Sequence, residues 1–143
     1  MKNRTRNNDW SEFLVTAERL LRVYTKYIEP TLIKHEAENI SLTNILFLIS
    51  IGDGESKVSD IVRQGRYVGS NASYALKALV DAKLIQRTQD AKDRRNALVS
   101  WTEKGSILVE DIKKNSTDTS GLCKNIWEPL KAFENHCART VDS

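Results

Sequence analysis

The sequence predicts a mainly α-helical fold that contains one small β-hairpin. Apolar residues recur at helical spacings of three and four near both ends of the chain. Between Leu84 and Gly105, two short runs of strand-forming residues flank a charged loop. The 143 residues include only 2 prolines and 6 glycines, which favours long helices over a fold with many turns.

The N-terminal part of the chain is predicted to form one long amphipathic helix. Its apolar stripe consists of Phe13, Leu14, Ala17, Leu20, Leu21, Tyr24 and Ile28. Asp9 is a suitable N-cap, and Glu12 lies three residues later, at the spacing of a capping box. Pro30 is expected to end or kink this helix, with a second piece that runs to about Glu36.

Three shorter helices are predicted next. Ser41 is the expected N-cap of the first, which residues 52–54 end. Its expected buried stripe is Leu42, Ile45, Leu46 and Ile49. The second covers residues 56–64 and ends at Gly65, and the third covers residues 70–82. The third has an apolar inner face made of Ala72, Ala75, Leu76 and Leu79.

The hairpin follows directly after these helices. Its first strand starts at Leu84 and Ile85, and its second strand has alternating apolar residues at Ala97, Val99 and Trp101. The connecting loop carries three charged residues, Asp93, Arg94 and Arg95. Two helices joined by a tight loop and followed by a hairpin form a winged helix-turn-helix.

The C-terminal part is predicted to be helical again. Thr102 begins a helix that runs through Ile112, and the polar run 115–120 breaks it. A last helix has a stripe formed by Leu122, Ile126, Leu130, Phe133 and Cys137. A winged helix needs roughly 70 to 80 residues, so the helices at both ends are additional to it. We expect them to pair with a second copy in a two-fold homodimer; the alternative is that they fold back in a larger monomer.

Positive charge is concentrated in the middle of the chain. The overall charge is only +3, but residues 57–104 contain ten Lys and Arg and five Asp and Glu. This distribution is typical of a surface that faces phosphate, although a solvated basic face is the simpler alternative. No apolar run approaches the ~20 residues of a membrane span, and the basic N-terminus lacks the apolar core of a signal peptide. We therefore expect a cytoplasmic protein without membrane contact.

The run from Asp93 to Gly105 resembles the wing of the multiple-antibiotic-resistance regulator (MarR) family. That family has an Asp-x-Arg wing, then a strand, then Leu-Thr-x-x-Gly. The matching residues here are Asp93, Arg95, Trp101, Thr102 and Gly105, with Trp101 in the place of Leu. Two features depart from the pattern: the turn GRYVG at residues 65–69 is unusual, and Lys83 stands where a glycine is usual. The resemblance covers most of the chain.

The resemblance implies a dimeric transcriptional regulator, with a repressor favoured, that binds a pseudo-palindromic site on double-stranded DNA. It implies three parts of one integrated domain: an N-terminal dimerisation helix at 1–36, a DNA-binding lobe at 37–104 and C-terminal dimerisation helices at 105–143. Arg95 matches the arginine inserted in the minor groove, Asp93 the acid that orients it, and Arg94 a phosphate contact or second reader. The polar residues of the recognition helix are Ser70, Asn71, Ser73, Tyr74 and Lys77.

The resemblance also implies release from DNA by a small, often aromatic, effector. Thr43, Phe47 and Ser50 form a mixed polar and aromatic face on one helix and are the candidate pocket residues. The alternative is that Phe47 belongs to the core and Thr43 to the surface.

The remaining reactive side chains give no sign of catalysis, and no metal or cofactor is predicted. His35 and His136 have no partner at catalytic or metal-ligand spacing. Cys123 and Cys137 are expected to be buried free thiols about 21 Å apart on one continuous helix, with an intermolecular or redox role as the alternative. A winged helix that binds another protein is a further alternative, but it would not need Arg94 and Arg95.

Overall fold

The computed structural model describes residues 10–116 and 120–141. The elements are α1 (Trp10–Lys34), α2 (Leu42–Ile51), β1 (Ser56–Lys57), α3 (Val58–Gln64), α4 (Gly69–Asp81), β2 (Ile85–Gln89), β3 (Ala97–Trp101), α5 (Glu103–Asn115), α6 (Ser120–Cys123) and α7 (Trp127–Val141). The chain divides into two compact units, Met1–Glu110 and Asp111–Ser143. The predicted mainly helical fold with a hairpin is confirmed, whereas the three-part division stays a prediction.

The strands form one antiparallel sheet in the order β1-β3-β2. The predicted hairpin is its larger part, with Ile85 opposite Trp101 and Gln89 opposite Ala97. The sequence interpretation missed β1 and placed its two residues at the start of a helix. Two residues have no measurable periodicity, and this strand exists because Ser56 and Lys57 pair with β3.

Helix α1 runs through Pro30 to Lys34, so Pro30 does not end it, and the alternative of a kink at Pro30 stays a prediction. Pro30 removes the N–H that would bond the carbonyl of Lys26, but both residues lie on the exposed side of the helix. On the two sides of the proline, Ile28 and Leu32 are buried and hold the helix against the core. The predicted cap at Asp9 lies outside the described residues.

Three helices end in the same way, with a residue other than glycine in the left-handed region. The residues are Glu36, Arg66 and Lys83, with φ of 54°, 52° and 59° after α1, α3 and α4. After α4, the N–H of Lys83 bonds Val80 and that of Leu84 bonds Leu79, which is the Schellman pattern. Lys83, which stands where the MarR family usually has a glycine, thus adopts the conformation that glycine favours.

The core of the first unit lies between α2, α4, α5 and the base of the sheet. Its fully buried large side chains are Ile45, Phe47, Leu48, Leu79, Leu84, Val99, Leu108 and Val109. The predicted stripe of α2 is wrong at Leu46, which is exposed, while Phe47, Leu48 and Ile51 are buried. Helix α2 packs against both α4 and β3, so its burial covers more than one stripe.

Hydrogen bonds complete both ends of α2, and three of them reach its C-terminal carbonyls. The Ser41 hydroxyl caps its N-terminus, as predicted, by accepting the N–H of Asn44. At the other end, the Trp101 indole N–H donates to the Leu48 carbonyl at 2.7 Å and the Ser56 hydroxyl donates to the Ile51 carbonyl at 2.8 Å. The N–H of Gly52 bonds Ile49. The sheet therefore completes the end of this helix.

The start of α5 is joined to the end of α4. The Thr102 hydroxyl accepts the N–H of Gly105 at 3.1 Å, which caps α5, and donates to the Lys83 carbonyl at 2.6 Å. The predicted helix start is thus confirmed. A Cβ on Gly105 would lie 2.0 Å from the Leu84 carbonyl oxygen, so the Thr-x-x-Gly pattern reflects close backbone approach.

The C-terminal helical segment is not one continuous helix. Residues 124–126 form a turn between α6 and α7, and Cys123 and Cys137 are free and exposed. The predictions of buried thiols and of one continuous helix are therefore wrong. Burial was expected because free cysteine is among the most often buried residue types, but none of the described residues of α7 is buried in this chain. Within the part of the chain that the structure describes, no helix has the length and apolar character to cross a membrane.

We predict that Gly105→Ala lowers the free energy of unfolding by about 1 to 3 kcal/mol, because the new methyl group collides with the backbone at Leu84. Urea unfolding followed by circular dichroism measures this change. Gly69→Ala is the matched control, since a Cβ at Gly69 meets nothing within 4 Å. Equal stability of the two variants would contradict the proposed contact.

Candidate nucleic-acid interface

The wing loop between β2 and β3 is closed at its base by Asp90. The N–H of Asp90 donates to the Asn96 carbonyl at 3.0 Å, and its carboxylate accepts the N–H of Lys92 at 2.9 Å. The Lys57 ammonium of β1 lies 3.9 Å from the other carboxylate oxygen. Asp90 thus connects the wing loop to β1, the strand on the other side of β3 from β2.

The tip of the wing is ordered by Asp93. Its carboxylate accepts the backbone N–H of Arg95 at 3.1 Å, and its carbonyl accepts the N–H of Asn96 at 3.0 Å. The Gln89 side chain donates to the Arg94 carbonyl at 2.8 Å. Asp93 therefore orients Arg95 through the main chain, and these bonds leave both guanidinium groups exposed.

A third arginine joins the wing surface. Arg87, Arg94 and Arg95 line one shallow groove of about 310 Å³, together with Thr88, Gln89, Asn96 and Ala97. Arg87 lies on β2 opposite Val99 and was not predicted as a site residue. The sequence places Arg87 in the basic segment 57–104, but only the pairing of β2 with β3 shows on which side of the hairpin its side chain lies. Within the described residues, these three guanidinium groups form no ion pair.

Helix α4 buries its predicted inner face and exposes all five predicted reading residues. Two of these polar groups have partners within the helix. The Ser73 hydroxyl donates to the Gly69 carbonyl at 3.1 Å, and the Lys77 ammonium bonds Asp81 at 3.1 Å. Ser70, Asn71 and Tyr74 have no such partner among the described residues, so they form the accessible polar part of this face.

The unusual turn before α4 is supported by Tyr67. Its ring packs against Phe47 with centroids 5.1 Å apart. Burial raises the pKa of the Tyr67 phenol above its ordinary value of 10.0, and a hydrogen bond with Ser50 partly opposes that rise. A Cβ on Gly65 would lie 2.3 Å from this ring, so glycine leaves the space that Tyr67 occupies.

The candidate effector residues lie in different surroundings. Phe47 is fully buried against Tyr67, and Ser50 bonds both Tyr67 and the Phe47 carbonyl. Thr43 is exposed near the start of α2. The structure thus brings Phe47 and Ser50 together at the turn, and the effector pocket stays a prediction. Among the described residues, no group of His, Cys, Asp and Glu could hold a metal ion.

Comparison with known proteins identifies the central part of the chain. Residues 43–105 match the family model for the winged helix DNA-binding domain. A relative from Rhizobium meliloti (strain 1021), the exopolysaccharide II synthesis transcriptional activator ExpG, is 34% identical over 97 residues, which are 68% of this chain and 50% of ExpG. The aligned part of the chain thus spans about half the length of that curated relative.

Solved structures are similar over almost the whole chain. Reduced AbfR bound to DNA has a TM-score of 0.71 at 14% identity, with 92% of this chain and 93% of that chain covered. A MarR transcriptional regulator from Methanosarcina mazei Go1 has a TM-score of 0.64 at 24% identity, with 92% and 98% covered. At 14% and 24% identity, this similarity shows that the chain shares the fold of these proteins. The prediction of a winged helix with flanking helices of the MarR type is confirmed.

We predict that Tyr67→Phe reduces the loss of stability at high pH. Because the phenol has a higher pKa in the folded state, its contribution is complete below pH 10.0 and is lost as the pH rises through the folded-state pKa. The free energy of unfolding, measured in urea at about pH 8 and about pH 11, should therefore fall less in the variant than in the wild type.

Tyr74→Phe is the control for this measurement, because Tyr74 is exposed on α4. It should leave the pH dependence of the wild type unchanged. The interpretation of Tyr67 is wrong if the wild type and Tyr67→Phe lose the same stability over this range.

Proposed function

We propose that this winged helix chain is a DNA-binding transcriptional regulator of the MarR type, which binds a pseudo-palindromic site on double-stranded DNA as a homodimer. The observation that carries the proposal is the wing tip, where the backbone is held by internal hydrogen bonds while the guanidinium groups of Arg94 and Arg95 are exposed. Exposed guanidinium groups on an ordered backbone contribute nothing to the packing of the core. They suit a polyanion placed beside the exposed face of α4.

The three arginines of the groove take different roles in this proposal. Arg95 inserts into the minor groove, which a planar guanidinium suits better than an ammonium group. Arg94 and Arg87 contact phosphates on either side of it. Asp93 positions Arg95 by holding its backbone N–H. The Asn71 and Tyr74 side chains of α4 then face base edges in the adjacent major groove.

The exposed apolar residues of α1 support a homodimer. The predicted stripe residues Leu14, Leu20 and Leu21 are 45%, 60% and 49% exposed. In the second unit, α7 likewise exposes Trp127 and Leu130. Apolar surface of this extent along two helices is typical of an interface, and a second copy of the chain would cover it.

The direction of regulation is a separate question. The sequence interpretation favoured a repressor, whereas the relative ExpG is named a transcriptional activator. DNA binding is common to both outcomes, and a reporter assay with the bound promoter distinguishes them. Relief by a small aromatic effector remains part of the proposal, with Thr43, Phe47 and Ser50 as its candidate residues. Cys123 and Cys137 are exposed free thiols in this chain, and a cysteine-linked response stays the alternative to an effector.

We predict that Arg95→Ala weakens binding to a selected DNA site by about tenfold or more, because the minor-groove contact is lost. In a homodimer the slope of log affinity against log salt should become shallower by about 2, one contact for each subunit. Fluorescence anisotropy over a salt series measures both quantities.

Lys114→Ala is the charge-matched control, since Lys114 is an exposed lysine in the last turn of α5 and belongs to neither the wing nor α4. It should leave the affinity close to that of the wild type. Unchanged affinity in Arg95→Ala would exclude the minor-groove assignment, and absence of any salt-dependent DNA binding would exclude the proposed function.

We predict that Leu14→Glu converts the dimer into a monomer, because it places a carboxylate within the apolar stripe of α1. Sedimentation velocity measures the mass, and circular dichroism checks that the helical content is retained. Val15→Glu is the control, since Val15 is 55% exposed and lies outside that stripe. A dimer that survives Leu14→Glu, or a wild type that is monomeric, would contradict the role of α1.

A further inference from the structure

Two side chains with a large apolar surface are exposed, one at the N-cap of α4 and one in its N-terminal half. Val68 is 66% exposed and Tyr74 is 74% exposed, and Asn71 lies between them at a spacing of three residues from each. The two side chains are not explained by the core, because α4 buries its alanines and leucines on another face.

Val68 is also not explained by helix capping. It occupies the N-cap position of α4, with φ of −71° and ψ of 137°, and makes no side-chain cap hydrogen bond. Serine, threonine, aspartate and asparagine stabilise this position, whereas valine is a poor choice for it. Valine gains nothing from capping here, so its exposed methyl groups are available to a partner outside the chain.

The surroundings indicate which partner makes this contact. Arg66 lies two residues before Val68, and the excess of positive charge in residues 57–104 includes this surface. An apolar surface within a basic surface fits DNA better than an apolar protein partner. In the major groove, the C5-methyl group of thymine is the apolar feature that a base edge presents.

We propose that Val68 and Tyr74 contact thymine methyl groups in the major groove, with the Asn71 amide facing the base edge between them. This inference rests on the proposed function, since it requires α4 to lie in the major groove. It deepens that function by identifying a feature of the DNA site: thymines under the N-terminal half of α4 in each half-site. The predicted reading residues at Ser73 and Lys77 contribute less, because their polar groups bond within the helix.

The test uses the full chain and a DNA site enriched from a random duplex library. Each thymine of one half-site is replaced in turn by deoxyuridine, which lacks only the methyl group. For the wild type we expect two positions at which the replacement weakens binding about fourfold, as for one buried methyl group. Val68→Ser should abolish the difference between thymine and uracil at one of these positions, and Tyr74→Ala at the other.

The variants are chosen to keep the fold. Serine is favoured at an N-cap and alanine in an exposed helix, so neither change should unfold α4. Val80→Ala is the control, because Val80 is a partly exposed valine near the other end of the same helix. It should keep the thymine preference at both positions.

The outcomes separate the two proposals. Tight, salt-dependent binding that is insensitive to every uracil replacement would overturn thymine recognition and leave the proposed function intact. Full thymine preference in both Val68→Ser and Tyr74→Ala would also overturn it. Failure to enrich any duplex from the library would contradict the proposed function itself.

Discussion

The main-chain carbonyls of Lys83 and Leu84 are the point on which the first unit depends. The Thr102 hydroxyl and backbone N–H bond these two carbonyls, and the Lys104 ammonium bonds the neighbouring Ala82 carbonyl. The same residues end α4 and lead into β2 of the wing. Gly105 is required because α5 passes so close to Leu84. One short stretch of backbone therefore sets the relation of α4, the wing and α5.

This junction explains how a small wing can be positioned without a large core of its own. Leu79 and Leu84 are both fully buried, so the Schellman end of α4 is fixed by apolar contact as well as by hydrogen bonds. Strand β2 begins at Ile85, the next residue, so the end of α4 also sets the direction in which this strand starts. The positive φ of Lys83 opposes this arrangement by about 1 kcal/mol, which the surrounding hydrogen bonds and burial offset. The spacing between α4 and the wing is thus determined by main-chain conformation and by hydrogen bonds to main-chain carbonyls.

Much of this arrangement could be predicted from the sequence, because periodic burial and turn chemistry determine it locally. The inner face of α4, the Ser41 cap, the hairpin and the start of α5 at Thr102 are such features. Other features depend on contacts between distant residues and have no local signal. These include the strand at Ser56, the exposure of Leu46, the side of the hairpin on which Arg87 lies and the contact of Phe47 with Tyr67. The exposure of both cysteines could not be predicted, because free cysteine is usually buried and the sequence gives no local sign of the surface around it.

The indole of Trp101 has a consequence for studying motion of the wing. Its N–H is bonded to the Leu48 carbonyl at 2.7 Å, so it joins the last residue of β3 to the end of α2. Exchange of that proton with deuterium requires this bond to open. The exchange rate of the Trp101 indole proton, followed by NMR, therefore reports local separation of the sheet from α2. Slow exchange indicates a wing that moves as a rigid extension of the core, and fast exchange indicates a wing that detaches at its base.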